Sequence, residues 1–410
     1  MRQANGLALT TDDPAVVAAV DGLEAQLLRY GKAVADYLTS PAPESDCALA
    51  LAYAAAVHLF ALTAEGRSRA LPLAGRALRL ARTATERERL VVEAVAHWAA
   101  GDLARATAIH MGVARRWPAD LISAKICQLH QLNAGDFAGM LGCTSALVGA
   151  LPGNGWTLGM HAFALGQVGD HVEAERAGRR AAALNGDPWA HHAVAHVLDD
   201  VGRHGEGRAW MRAHAGTWES CSSFMYTHNW WHAALFHLDL DDPEGALDCF
   251  DARIWGVRKD YCQDQLNAIS LLARLEMRGV DVGERWHDLS AHVAPRLHDH
   301  LNGFLDLHYV YALARAERTG EVGEMLRSLD AWASSCPLSD ARLKAIVPVA
   351  ARALVAHAQG NYERAAWLLR DVRPDFVRLG GSDVQRHLFE LIYRDSCAHG
   401  GMQTRRVASA

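Results

Sequence analysis

Residues 101–136 read GDLARATAIHMGVARRWPADLISAKICQLHQLNAGD, and this stretch decides the fold. It opens and closes on the same dipeptide, Gly101-Asp102 and Gly135-Asp136, 34 residues apart. A third, Gly169-Asp170, follows after another 34, and Gly202-Arg203 comes 33 later. Pro118 and Pro152 keep the same step, each 17 residues after a glycine. An alanine recurs five residues beyond the turn, at Ala106, Ala174 and Ala365. A period of this length describes a pair of antiparallel helices repeated along the chain. Glycine ends the first helix in the left-handed region, alanine lets the two helices approach, and proline closes the second. Later turns are looser, at Leu240-Asp241-Asp242, Gly279, Gly320-Glu321 and Gly360-Asn361, with spacings near 40. No strand-like alternation competes with this pattern, so the chain reads as all-α.

Working outward, residues 1–14 are expected to be a flexible arm and 15–400 a single helical-repeat domain, with the clearest repeats at 86–219. Helices are expected near 15–38 and 47–63, either side of the breaker Pro41-Ala42-Pro43-Glu44-Ser45. Paired helices follow at about 69–118, 119–152, 155–186 and 188–219, then less regular ones at 222–255, 261–298, 301–336 and 338–379. A helix near 382–399 is expected to cap the array, because an end repeat otherwise exposes its apolar face. Residues 401–410 are expected to be disordered.

Half of the 410 residues are apolar and 21% are charged, which places the chain among folded proteins rather than disordered ones. The net charge of −6 and the lack of a Lys/Arg-rich run predict no nucleic-acid partner. The eight cysteines are scattered without a CxxC pair, which predicts reduced thiols and a cytoplasmic location. No apolar run reaches the length of a membrane span, so no membrane partner is expected.

The Gly-Asp turns resemble those of the tetratricopeptide repeat, which implies an irregular right-handed α-solenoid of helical hairpins. Three segments resemble one family more closely. HAVAHVLDDVGR at 192–203, THNWWHAALFHLD at 227–239 and LGGSDVQR at 379–386 are similar to segments of the tetratricopeptide repeat protein 38 family. That likeness, covering roughly 90–395, implies the helical-repeat fold and brings no settled activity with it.

The functional candidates lie at 187–241. His192 and His196 are four residues apart, as are His228 and His232, so each pair shares one helical face. In a tetratricopeptide repeat the first helix of each pair lines the concave groove. With the turn glycine as position 15, His192 and His196 take positions 5 and 9. With Asp241 in the turn role, His228 and His232 take positions 2 and 6. Trp189 and His308 fall at comparable positions. The sequence therefore predicts a groove bearing Trp189, His192, His196, His228, Asn229, Trp231, His232 and His308, open to a small molecule or peptide. A homodimer stays open as an assembly.

Three readings of these residues are consistent with the sequence. They could be hydrogen-bonded core residues, the wall of a ligand groove, or a metal site in which His192, His196, His228 and His232 hold a divalent transition metal such as zinc. On the third reading an open coordination position would support hydrolytic or oxidative chemistry. Without metal, His196 or His232 could act as general base with Tyr226 or Tyr309 as partner. Other signals are weaker. Cys221 could pair with a histidine as a nucleophile, though Ser222 or Ser223 reads more simply as a helix N-cap. Gly380-Gly381-Ser382 reads as a C-cap followed by an N-cap, and His298-Asp299-His300 as a solvated turn.

Overall fold

The computed structural model describes residues 1–335 and 341–401, and every regular element among them is a helix. The protein is an all-α, tetratricopeptide-like helical-repeat protein. The expected boundary between helix pairs at 336–338 and nearly all of the 401–410 tail lie outside the described residues.

The recurring dipeptide works as its chemistry suggests. Gly101, Gly135 and Gly169 each take a positive φ, of 92°, 67° and 83°. In that conformation the chain turns directly out of one helix towards the next. The following aspartates then cap the second helix of each pair: Asp102 accepts from the Arg105 N–H, Asp136 from Gly139 and Asp170 from Glu173. Each caps an orphan donor of the first turn, worth about 1 kcal/mol. Asp241 fills the glycine's place at φ 57°, and Asp242 caps the next helix. The small residues expected between paired helices, Ala106, Ala174 and Ala365, are fully buried.

Contacts divide the chain into two compact units, Met1–Asp241 and Asp242–Ala410. In the first, four helix pairs carry the regular period: Glu86–Ala100 with Leu103–Arg116, Leu121–Ala134 with Phe137–Ala150, Gly155–Gln167 with His171–Asn185, and Pro188–Asp200 with His204–His214. The helix Ser223–Asp239 follows.

The N-terminal segment is tied to the first unit by hydrogen bonds. The Met1 amino group donates to the Leu9 and Thr11 carbonyls, and Leu9 is buried. Thr10 bonds to the Glu88 carboxylate through both its N–H and its hydroxyl. The buried Arg87 donates to the Ala8 carbonyl and to Asp120, 2.5 Å away. A buried ion pair needs its remaining donors satisfied, and the N-terminal segment supplies the acceptors.

The second unit contains Cys262–Glu276, Arg285–Val293, Gly303–Arg315, Thr319–Ser335, Ala341–Ala358, Tyr362–Val372 and Asp383–His399, among shorter elements. The Gly380-Gly381-Ser382 run ends a 3-10 turn and caps the last of these helices. Ser382 and Gln385 form a reciprocal capping box there, as the sequence suggests.

Candidate functional site: a buried histidine cluster

The site is built on two helices of the first unit. In Pro188–Asp200 every residue from Pro188 to Leu198 is buried, so its histidines sit inside the protein and not along an open wall. Asp187 caps this helix by accepting from the Trp189 N–H at 3.0 Å. The Asn229 amide of Ser223–Asp239 donates to the Pro188 carbonyl and ties the two helices together. Across this junction the four histidines meet.

Nε2 of His192 lies 3.0 Å from Nε2 of His196 and 3.1 Å from Nε2 of His228. The His192 ring centroid is 4.9 Å from that of His232, and His196 is 4.5 Å from His232. One coordinating nitrogen from each of His192, His228 and His232 falls within 4.8 Å of the others. All four side chains are at most 3% exposed. A neutral imidazole carries a single N–H. His192 Nε2 can therefore complete one good hydrogen bond with these neighbours and not two. The outer Nδ1 atoms of His192 and His196 have no hydrogen-bond partner.

Aromatic rings close the surroundings. Phe163 packs on both His192 and His196, Trp189 on His192 at 4.5 Å, and Phe224 and Trp231 stack on His228 at 5.3 Å. Burial, with neighbouring imidazoles adding to it, holds His192 well below the usual histidine value and His196 at about 3. Beside Trp189 lies a second polar group. Lys125 sits 3.9 Å above the Tyr30 ring, which stacks on Trp189 at 5.5 Å. Burial lowers the Lys125 ammonium and raises the Asp187 carboxyl, and each partner partly offsets the shift of the other.

Of the residues singled out in the sequence, Trp189, His192, His196, His228, Asn229, Trp231 and His232 come together here, all buried. Tyr226 is half-buried against the same core. His308 belongs to the second unit. There it is buried against Phe304 and Phe389, and one ring nitrogen meets the Phe304 carbonyl at 2.7 Å. Cys221 is a buried thiol pushed up to about 11 by burial, which leaves it a poor nucleophile. Sequence reasoning missed Phe163, although it occupies position 9 of the preceding repeat, the register of His196. It also missed Lys125 and Tyr30, which carry no local signal.

The donor set fits a transition metal. Two ligands of a tetrahedral zinc at ~2.0–2.1 Å are separated by about 3.3 Å, close to the spacings of His192 Nε2 from His196 Nε2 and from His228 Nε2. Imidazole nitrogens suit zinc, copper, iron and nickel.

No family model matches the chain. Several solved structures are similar to it. A tetratricopeptide repeat protein from Parabacteroides merdae is 14% identical, covering 75% of this chain and 98% of its own, with a TM-score of 0.28. An IFIT1 monomeric mutant with Gppp-AAAA is 12% identical, covering 98% and 97%, with a TM-score of 0.38. Naa15/Naa10 bound to HypK-THB is 13% identical, covering 96% and 68%, with a TM-score of 0.26. Likenesses at this level go with the helical-repeat fold and assign no function to this chain.

One expectation is corrected by them. The exclusion of nucleic acid as a partner is withdrawn; the IFIT1 chain is itself described together with Gppp-AAAA. The physical error lay in using net charge, a sum over the whole chain, where the local arrangement of cations decides such contacts. As to membranes, no helix among the described residues is long and apolar enough to cross one.

Proposed function

We propose that this protein is a tetratricopeptide-like helical-repeat protein that holds a divalent transition metal, such as zinc, on the cluster His192, His196, His228 and His232. The observation that carries this reading is that one ring nitrogen from each of His192, His228 and His232 lies within 4.8 Å of the others inside the protein, with His192 Nε2 also 3.0 Å from His196 Nε2. Imidazoles packed only as core residues would turn these nitrogens towards separate donors and acceptors, since buried polar groups seek their own partners. Coordination instead gives all of them one shared partner. The resemblance of 192–203 and 227–239 to the tetratricopeptide repeat protein 38 family belongs to the same proposal, since those segments carry the cluster.

The chain's own residues would do three things for the ion. Two helices, fixed to each other through Asn229 and Pro188, would set the ligand spacing. Phe163, Trp189, Phe224 and Trp231 would exclude water around the imidazoles. With three of the four, His192, His228 and His232, as ligands, and His196 beside them as a general base, a coordination position would stay open for a small molecule, the condition for metal-dependent hydrolytic or oxidative chemistry. Bound metal there would supply Lewis acidity or an activated water. The small-molecule reading of the groove thus becomes a ligand at the metal, enclosed by aromatic walls.

Metal content of the purified chain, measured by inductively coupled plasma mass spectrometry, tests this. Wild type is expected to retain near-stoichiometric metal, and His196→Ala and His232→Ala to lower it. A wild-type chain that takes up no metal, even after incubation with zinc, would overturn the proposal.

A further inference from the structure

The second unit holds a chain of hydrogen bonds that the metal proposal does not use. His300 lies between the 3-10 turn Ala294–Arg296 and the helix Gly303–Arg315, with φ at 42°, a left-handed conformation uncommon for a residue with a side chain. One ring nitrogen, Nδ1, is 3.1 Å from the Asp306 carboxylate, which is buried on the next helix. The other, Nε2, is 2.7 Å from the Ser328 hydroxyl on the helix Thr319–Ser335. Nδ1 of His298 meets the same hydroxyl at 2.8 Å, and its Nε2 meets Glu324 at 2.9 Å.

One placement of the protons satisfies all four contacts and makes His300 the base. Asp306 only accepts, so His300 carries its proton on Nδ1 and offers the Nε2 lone pair to Ser328. The Ser328 hydroxyl donates its one proton there and can only accept from His298. His298 then donates from Nδ1 to Ser328, with its Nε2 beside Glu324. A serine hydroxyl facing a histidine base, itself oriented by a buried carboxylate, is the geometry of an activated nucleophile. The second histidine adds an N–H donor beside the oxygen. Asp306 Oδ2 has no other partner, so the carboxylate is committed to His300. The His298-Asp299-His300 triplet is therefore more than a solvated turn.

We propose that Ser328, His300 and Asp306 form a second, metal-independent site that cleaves small carboxylic esters. Ser328 Oγ adds to the ester carbonyl carbon while its proton passes to His300 Nε2. The bond from the carbonyl carbon to the leaving alcohol breaks, and the alcohol takes that proton. Water then attacks the acyl-serine, giving a proton to His300 Nε2, and this proton returns to Ser328 Oγ as the acid departs. Ester and water become acid and alcohol. The Ser328 backbone N–H lies within a helix, so the oxyanion is stabilised by His298 shifting its Nδ1–H from Ser328 Oγ to the adjacent developing oxyanion. Esters with an acidic alcohol, such as aryl acetates, are the expected class.

The test treats the full chain with a fluorophosphonate probe, maps the adduct by mass spectrometry, and follows p-nitrophenyl acetate hydrolysis. The adduct is expected on Ser328, absent in Ser328→Ala, and formed at least tenfold more slowly in His300→Gln. Stripping metal is expected to leave the rate unchanged, which separates this site from the histidine cluster. Helical circular dichroism equal to wild type shows that the variants fold. No adduct on Ser328, or equal labelling in a folded His300→Gln chain, would overturn the proposal.

Discussion

At the scale of single residues, His192 is the centre of the cluster, since its Nε2 touches both His196 and His228. His192→Ala is expected to weaken zinc binding by more than about 100-fold, because even outer-shell partners are worth about 10–100-fold. Calorimetric titration of the metal-stripped chain measures this, and an unchanged affinity would remove His192 from the ligand set. A different residue tests the structural frame. Arg87 and Asp120 form a buried ion pair at 2.5 Å. Removing one partner leaves the other charge uncompensated, so Arg87→Ala is expected to cost about 3–5 kcal/mol. Denaturant unfolding reads that loss, and a change within about 0.5 kcal/mol, ordinary for a surface site, would contradict the placement.

At the scale of elements, the glycines separate packing from propensity. A Cβ on Gly178, in the helix His171–Asn185, would come within 2.6 Å of Val194 Cγ2 on the helix that carries His192 and His196. Gly178→Ala is expected to cost about 1–3 kcal/mol and to weaken metal binding without altering a ligand. Gly112, within Leu103–Arg116, has nothing within 4 Å of such a Cβ. Gly112→Ala is expected to stabilise by about 0.5–1 kcal/mol. Equal melting temperatures for the two variants would contradict the helix packing described.

The elements were the most legible part of the sequence. Gly-Asp turns, short-range caps and a fixed period all act within a few residues, so the helix pairs at 86–219 could be read directly. The meeting of His192 with His228 was also readable, because the repeat sets which faces adjoin. What the sequence did not reveal depends on distant partners. The ordering of residues 1–13 comes from Glu88 and Arg87, far along the chain. The Lys125–Tyr30 contact and the Ser328–His300 hydrogen bond join segments for which the period has no rule.

At the scale of the whole molecule, burial of histidines makes stability depend on pH. Burial holds His110 well below the usual value of 6.5, His130 at about 3 and His308 at about 4. Folded, these groups stay neutral while the unfolded chain protonates. The stability they contribute is thus full above about pH 6.5 and is lost as pH falls towards 3–4. Glu24, pushed up to about 7 by burial first and by nearby carboxylates second, and Asp187, pushed up to about 7 by burial, work against them between their unfolded values and 7. The buried histidines, with His192 and His196 among them, outnumber these carboxyls, so the melting temperature is expected to fall between pH 6.5 and 4.5. His130→Phe, keeping a ring against Trp98, is expected to flatten that slope. A melting temperature constant over this range would contradict the burial.

The central claim is that His192, His196, His228 and His232 form one metal site, and titration of the metal-stripped chain with Co²⁺ tests it most directly. The visible spectrum reports both stoichiometry and ligand geometry. Wild type is expected to bind one equivalent with the intense bands of a four-coordinate, nitrogen-rich site, and a folded His192→Ala chain to lose them. Absence of those bands from the wild-type chain, or their persistence in His192→Ala, would contradict the claim.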